Sequence, residues 1–240
     1  MMWACMFLKL HLPEDVMIVM LDASKPTLRK WVWRLIIEAV APTSSDVIQW
    51  GKRNRNLPAD ALCSVSVDGT DFKVQEPFPF NRKMVSHKFN GSALRHEVAI
   101  SIYSGDVVWV CGPHRGAKHD LTIFREKLKH MLNEGEMVEA DKGHVGEADW
   151  IRTKLDYETV KERREKGRAR HRHETCNRRF KCYGILKQER CHDLKKHEWV
   201  VRCIVTLTQL GIDHGDCLFG CEPSTKKKAL HSIDDVDLDA

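Results

Sequence analysis

Several kinds of segment and motif are missing from this chain of 240 residues, and each absence excludes a class of protein. No apolar run approaches the roughly 20 residues that a helix needs to cross a bilayer. The N-terminal segment has neither a basic leader nor a small-residue cleavage site, which argues against a secretory signal. No internal repeat is visible. We therefore expect a soluble intracellular protein that does not enter a membrane.

The cysteines form none of the usual paired motifs. There are nine of them, an odd number, and no two are spaced as CxxC. This pattern argues against a disulfide framework and favours reduced thiols inside a cell. His214, Cys217 and Cys221 are close in sequence, but their spacing matches no standard zinc site and supplies too few ligands.

The chain is rich in charge, and that charge is unevenly distributed. Charged residues make up 30% of the chain and hydrophobic residues 42%, which is typical of a globular protein with one full domain and a small appendage. Residues 161–196 contain 14 Lys and Arg against 5 Asp and Glu, whereas residues 223–240 end in an acidic run. The contrast favours a body that binds a polyanion, followed by an acidic disordered tail. A solvated charged helix has the same composition, so both interpretations stay open.

The N-terminal 47 residues contain a helical pattern with a basic face. Ser24 is suited to cap a helix over residues 26–40, whose apolar positions recur at helical spacing. An earlier helix over residues 14–21 completes an arrangement that resembles a helix-turn-helix. The basic side chains that would contact DNA there are Lys25, Arg29 and Lys30. The alternative is an ordinary amphipathic helix packed on the main domain.

The rest of the pattern predicts an α/β fold. Strands are expected over residues 62–67, 95–103, 107–111 and 137–140, and helices over residues 121–133, 158–182 and 197–210. Ser104 and Gly105 suit a tight hairpin between the second and third strands. Because both faces of these strands are largely apolar, we expect a sheet covered by helices on both sides.

Four acidic residues stand in contexts that suit a metal-binding carboxylate: Asp68, Asp120, Asp141 and Glu174. Asp68 interrupts a strand pattern, and an ionised carboxylate in a covered sheet costs several kcal/mol unless a cation or donors compensate it. Asp141 closes another short strand, so adjacent parallel strands would bring these two aspartates together. Mg²⁺ prefers such hard oxygen ligands and keeps positions for water and phosphate. On the helix that carries Glu174, basic side chains suited to a phosphate backbone are Arg170, Arg178 and Lys181.

Each acid also has an ordinary structural explanation. Asp68 is compatible with a turn that includes Gly69, and Asp120 is compatible with a helix cap. Asp141 is compatible with an Asx-turn, and Glu174 with an ion pair on a charged helix. Two adjacent carboxylates repel each other, and a shared divalent ion removes that conflict. The order of strand, strand end and helix therefore favours one common site.

A series of short segments resembles the DDE superfamily endonucleases, and within them the Harbinger-type transposases and the nucleases derived from them. The matching segments, within residues 48–222, are residues 67–70 (VDGT), 86–89 (SHKF), 112–113 (GP), 119–120 (HD), 140–143 (ADKG), 173–174 (HE) and 179–181 (RFK). The resemblance implies a ribonuclease-H-like mixed sheet flanked by helices, with residues 1–47 as a short helix-turn-helix-like remnant. It also implies DNA cleavage and strand transfer.

The resemblance assigns roles to individual residues. Asp68, Asp141 and Glu174 match the acidic triad that holds Mg²⁺ or Mn²⁺, and Asp120 matches a further acidic position assigned to metal. DNA is the implied substrate, with a separate DNA-binding protein and a paired homodimer as possible partners. For a eukaryotic member the implied location is the nucleus, and Lys226, Lys227 and Lys228 form a basic cluster of the kind used for import.

Two features depart from the family pattern. His144 stands where the family usually has Tyr, and the resemblance leads us to expect more helices ahead of Asp22. The second hypothesis is therefore a catalytically silent DNA-binding protein, derived from a domesticated or truncated transposase.

Overall fold

The computed structural model describes residues 2–153, 159–188 and 194–218. The acidic tail predicted over residues 223–240 lies outside them. The α-helices are α1 Met2–Leu10, α2 Glu14–Leu21, α3 Lys25–Arg34, α4 Ser44–Val47, α5 Asp120–Glu126, α6 Val160–Lys181, α7 Gly184–Lys187 and α8 Leu194–Asp213. The strands are β1 Cys63–Lys73, β2 Val85–Ser86, β3 Gly91–Ser101, β4 Val107–Arg115, β5 Met137–Ala140 and β6 Ile151–Arg152.

The strands form one mixed sheet with β1 at its centre. Strand β1 pairs antiparallel with β3 and parallel with β5. Strand β3 continues antiparallel to β4, and β5 continues parallel to β6, which gives the order β4-β3-β1-β5-β6. The short strand β2 pairs with the beginning of β3. Helices cover the sheet, so the predicted α/β, ribonuclease-H-like mixed sheet flanked by helices is confirmed.

Two hydrophobic clusters cover the two faces of the sheet. One contains Phe72 and Ile100 of the sheet, packed against Phe180 of α6 and Ile204 of α8. The other contains strand residues such as Val67, packed against Phe124 of α5. Because side chains alternate along a strand, β1 contributes even-numbered residues to the α6 face and odd-numbered residues to the α5 face.

The N-terminal helices share the first of these cores. Ser24 caps α3 as predicted, since its hydroxyl oxygen accepts a hydrogen bond from the Thr27 amide at 3.4 Å. The predicted apolar stripe is buried at Leu28, Val32 and Ile36, in the cluster that includes α8. The helix continues beyond α3 as a π-helical segment, Leu35–Val40. This packing agrees with the alternative prediction of an ordinary amphipathic helix packed on the main domain. The helix-turn-helix stays a prediction.

Several element bounds differ from those that the sequence predicts. Strand β1 continues past residue 67 to Lys73, so Asp68 lies in the middle of a strand and not in a turn. The helix expected over residues 121–133 ends at Glu126, because the backbone of Lys127 leaves the helical region, and a 3₁₀ segment Leu128–Met131 follows. The hairpin between β3 and β4 has a longer connection than the tight turn predicted at Ser104 and Gly105.

Helix α6 confirms most of the predicted long basic helix. Thr159 and Glu162 begin it with a capping box, in which each side chain accepts a hydrogen bond from the backbone amide of the other residue. Residue 158, the predicted first residue, is outside the described part of the chain. Among the described residues, no helix combines the length and apolar character that crossing a membrane requires.

Candidate active site

Asp68 faces α6 from the middle of β1. Its Oδ2 accepts a hydrogen bond from the side-chain amide of Asn177 at 3.4 Å. One turn earlier on α6, Nε2 of the buried His173 donates to the backbone oxygen of Ser66 at 2.7 Å. Two polar contacts therefore hold α6 against the strand at Asp68.

Asp141 follows the strand that is paired with the Asp68 segment of β1. Val67 of β1 is paired with Ala140 of β5 in a parallel ladder, so an aspartate follows each of the two paired residues, Asp68 within β1 and Asp141 just beyond the end of β5. Neighbouring strands are separated by about 4.8 Å. This register agrees with the predicted meeting of the two acids, which stays a prediction.

The carboxylate of Asp141 is fixed by the turn that follows it. Its Oδ1 accepts hydrogen bonds from Nδ1 of His144 at 3.1 Å and from the Gly143 amide at 2.9 Å. These bonds, led by that from His144, lower the pKa of Asp141 to about 2. The predicted Asx-turn is therefore present, and Oδ2 accepts no hydrogen bond from the described residues. Asp141 is ionised at neutral pH with one oxygen available to a ligand.

Asp120 is the first residue of α5 and does not cap it. The capping position belongs to His119, whose side chain makes no capping hydrogen bond. A guanidinium nitrogen of Arg95 lies 3.2 Å from Asp120 Oδ1, within ion-pair distance. That oxygen is buried, yet it has no partner at hydrogen-bonding angles among the described residues. Burial raises the pKa of Asp120, and the nearby charge of Arg95 opposes that rise.

Two glycines provide the space that Asp120 occupies. A Cβ atom added at Gly69 would lie 2.5 Å from Asp120 Oδ1, closer than real Cβ contacts allow. A Cβ added at Gly143 would lie 3.3 Å from Asp120 Oδ2 and 3.1 Å from Asp141 Oδ1. Asp120 therefore lies between β1 and the turn after Asp141. A residue larger than glycine at position 69 or 143 would displace its carboxylate.

Asp68 and Asp120 approach β1 from opposite faces. Asp68 is directed toward α6, whereas the adjacent Gly69 faces α5 and Asp120. The charge of Asp141 acts on both sides, because it influences the pKa of His173 under α6 and that of Asp120 on α5. Asp141 is therefore the aspartate whose charge reaches both faces of β1.

Glu174 lies on the exposed side of α6, where it pairs with Arg170 and lies near His171. Its two oxygens lie 3.1 Å from Nε of Arg170 and 3.5 Å from Nδ1 of His171, and its side chain is 56% exposed. It makes no hydrogen bond or ion pair with Asp68 or Asp141. The predicted ion pair on a charged helix is thus present. In the described part of the chain, no three His, Cys, Asp or Glu side chains are arranged as a metal-binding group.

A buried ion pair that the sequence did not predict lies next to the aspartates. Asp71 and Arg95 face each other in the β1–β3 register, and two guanidinium nitrogens donate to the carboxylate at 2.7 and 2.9 Å. The hydroxyl of Ser86 also donates to Asp71. Burial opposes ionisation, but these hydrogen bonds lower the pKa of Asp71 overall. The signal in the sequence was an acid and a base on neighbouring apolar strands, which is visible only once the register is known.

A second buried acid lies on β3. Glu97 is paired with Gly69 in the β1–β3 register and is 2% exposed. It accepts a hydrogen bond from the indole of Trp109 at 3.3 Å. Burial raises its pKa to about 7, with the charges of His144 and Asp120 acting nearby. The site therefore includes a carboxyl group that titrates near neutral pH.

The predicted DNA-contacting cations fall into two groups. At the N-terminal helices Lys25 pairs with Asp15 at 2.5 Å, Arg29 with Glu14 at 2.6 Å, and Lys30 lies over the ring of Trp31. On α6, Arg170 pairs with Glu174, Arg178 is exposed, and Lys181 is half-buried. Among the described residues, Arg178 and Lys181 have no carboxylate oxygen within ion-pair distance.

Comparison with known proteins gives one match. The model of the family described as "DDE superfamily endonuclease" matches residues 67–209, a span that contains all four candidate acids. No curated protein and no solved structure matches the chain.

Proposed function

Since the chain belongs to the DDE superfamily endonucleases, we propose that it cuts phosphodiester bonds of DNA with the help of divalent metal ions. The observation that supports this proposal is the β1–β5 register, which pairs Val67 with Ala140, the residues directly before Asp68 and Asp141. Adjacent ionised carboxylates are stabilised by a shared divalent cation. The low pKa of Asp141 keeps its carboxylate ready to bind one.

The residues present fit Mg²⁺ or Mn²⁺. In the proposal Asp68, Asp141 and Glu174 hold the metal, and Asp120 contributes from the α5 side. The buried Oδ1 of Asp120, without a well-aligned donor, is a group that a cation would satisfy. All four residues offer hard oxygen ligands of the kind these metals prefer. Divalent metal bound there supplies an activated water and stabilises charge on the leaving oxygen.

The chain's own residues position the proposed ligands. Asn177 holds one oxygen of Asp68, while His144 and the Gly143 amide hold one oxygen of Asp141. Glu174 is three residues before Asn177, and residues three apart are neighbours on a helix surface. A rotamer change that breaks the exposed pair with Arg170 would therefore bring Glu174 toward Asp68. An exposed pair of this kind costs only about 0.3–0.5 kcal/mol to break.

The experiment is a nicking assay on supercoiled DNA in Mg²⁺ and in Mn²⁺. The variants Asp68→Ala, Asp141→Ala and Glu174→Ala should each lose nicking while still melting cooperatively. Asp60→Ala is the matched control, because Asp60 is an exposed acid in the loop before β1. Nicking that persists undiminished in a triple variant of the three acids would refute the proposal.

We further propose a Harbinger-type transposase activity with strand transfer, in the nucleus, on the basis of the sequence resemblance. Transposition requires paired active sites, which supports a homodimer, and a separate protein is proposed to supply DNA recognition. The division into residues 1–47, residues 48–222 and a tail over residues 223–240 is part of the same proposal. Lys226, Lys227 and Lys228, outside the described residues, are the proposed import signal.

A second candidate function is favoured by the ion pairs of Glu174. Arg170 and His171 occupy both of its oxygens, as expected if the side chain serves a DNA-binding protein without catalysis. Calorimetric titration with Mn²⁺ distinguishes the two functions. A nuclease should take up Mn²⁺ with an affinity that falls in Asp141→Asn, whereas a catalytically silent scaffold should show no such difference.

A further inference from the structure

Lys88 is placed at the edge of the candidate site by the turn between β2 and β3. Its ammonium group donates a hydrogen bond to the backbone oxygen of Gly69 at 2.7 Å. Gly69 directly follows Asp68, so the cation is anchored beside the proposed metal ligand. The charge of Lys88 also acts on Asp141, where it helps to lower the pKa of that carboxyl.

Lys181, the last residue of α6, faces the same edge from the other side. Its ammonium lies over the ring of Phe89, the residue that follows Lys88, so the two lysine side chains approach the same turn. Burial lowers the pKa of Lys181, and the positive charge of Lys88 lowers it further. The charges of Asp71 and Asp68 act on Lys181 in the opposite direction. No carboxylate oxygen of the described residues lies within 4.0 Å of either ammonium group.

Aromatic rings hold the side chain of Lys181 in place. Its ammonium lies 5.9 Å from the ring centroid of Phe72 and 5.8 Å from that of Phe89. Phe89 follows Lys88 in the same turn, and the ammonium of Lys73 lies 5.3 Å from the centroid of the same ring. The turn after β2 thus brings an anchored cation and an aromatic support to the end of α6.

Two nearby like charges without a carboxylate partner form a site that favours an anion. From this geometry we propose that Lys88 and Lys181 together bind a backbone phosphate of DNA, next to the bond that the aspartates cut. The inference rests on the proposed function for the identity of the anion. Lysine suits the task because its ammonium is a compact point charge that binds phosphate without demanding a fixed planar geometry. Its position beside Asp68 would hold the strand against the metal ligands.

The test measures DNA binding without cleavage. Binding of a short fluorescent duplex is followed by anisotropy in EDTA over a series of salt concentrations. Each neutralised phosphate contributes about 0.9 to the slope of log K against log salt. Because the two lysines share one phosphate, the double variant Lys88→Gln/Lys181→Gln should lower the magnitude of the slope by about 0.9, and each single variant by part of that amount.

The controls separate a specific contact from a loss of net charge. Lys127→Gln removes the same charge from an exposed residue at the far end of α5, about 10 Å along the helix from Asp120. It should leave the slope unchanged, and Lys88→Arg should retain the wild-type slope. Thermal melting checks that each variant is folded. An unchanged slope in Lys88→Gln and Lys181→Gln, or an equal decrease in Lys127→Gln, overturns the inference.

The nicking assay keeps this inference distinct from the proposed function. If wild-type protein fails to nick DNA while the two lysine variants still lower the slope, the nuclease proposal fails and the phosphate site stands. If wild-type protein nicks DNA but the slopes do not change, the nuclease proposal stands and the phosphate site is wrong.

Discussion

Asp120 lies 3.2 Å from the guanidinium of Arg95, so a buried cation of the chain itself already faces a carboxylate of the candidate site. The same guanidinium is bound by Asp71 on its other side. Arg95 therefore neutralises part of the negative charge that a bound metal would otherwise neutralise. In the site, buried cations of the chain offset the negative charge of the carboxylates. Changing one of these residues should therefore have an effect that can be measured separately from the others.

Arg95→Met is expected to destabilise the fold by about 3–5 kcal/mol, because it leaves Asp71 as a buried charge without a partner. Urea unfolding measures the loss. Arg34→Met is the matched control, because Arg34 forms an exposed pair with Glu38 on the helix surface, and such pairs contribute only about 0.3–0.5 kcal/mol. A loss below about 1 kcal/mol in Arg95→Met would mean that the buried pair is not needed for stability.

Gly69→Ala is expected to abolish nicking while the protein still folds. The new Cβ would lie 2.5 Å from Asp120 Oδ1, so the carboxylate must move away from its place beside the Asp141 turn. Nicking rate and urea unfolding are measured on the same preparation. Gly167→Ala supplies the contrast, since a Cβ there meets nothing within 4 Å in helix α6. It should stabilise the protein by about 0.5–1 kcal/mol and leave nicking intact.

Glu97 is expected to make the fold less stable as the pH rises. Its folded-state pKa of about 7 is above the model-peptide value of 4.5, so the unfolded chain releases this proton first. Between about pH 4.5 and 7 the unfolded state therefore binds fewer protons, and stability falls with pH by up to about 3 kcal/mol. Urea unfolding across this range should show the decline.

Glu97→Gln should remove that part of the decline, because its amide does not titrate. Glu134→Gln, at an exposed residue in the loop before β5, should leave the decline as it is in the wild-type protein. Equal pH profiles for wild type and Glu97→Gln would show that Glu97 does not hold its proton in the folded protein.

The strands that carry the site were predictable because their apolar pattern is strong. Strand β5 has the predicted bounds, and Asp141 follows it as expected. The parallel pairing of the strands before Asp68 and Asp141 was also predictable, although the structure places Asp68 in the middle of β1 and not at its end. The residue patterns that carry the family resemblance lie on these same elements, which is why fold and family could both be inferred from the sequence.

Contacts that depend on register or on rotamers were not predictable. The pairing of Asp71 with Arg95 requires the β1–β3 register, which alternation alone does not specify. Asp120 resembled a helix cap, but the helix begins one residue earlier than expected and His119 occupies the capping position. Helix α1 was not predicted, although its buried residues Ala4, Phe7 and Leu8 recur at helical spacing and it packs on α3 and α7.

Arg170→Gln is expected to strengthen Mn²⁺ binding, because it frees Glu174 from the ion pair that opposes its turn toward Asp68. Breaking such a pair is worth about 0.3–0.5 kcal/mol, so the affinity should rise about twofold. Isothermal titration calorimetry with Mn²⁺ gives the dissociation constants. Glu174→Gln should weaken binding in the same experiment.

The matched control for this change is Arg168→Gln, which removes the same charge from an exposed position on the same helix. Loss of a nearby positive charge raises metal affinity by itself, and Arg168→Gln measures that general effect because Arg168 makes no ion pair with Glu174. Only a larger increase in Arg170→Gln than in Arg168→Gln indicates release of a ligand. If the two variants bind Mn²⁺ equally and Glu174→Gln binds as wild type does, Glu174 is a surface residue of α6 and the metal is held by the aspartates alone.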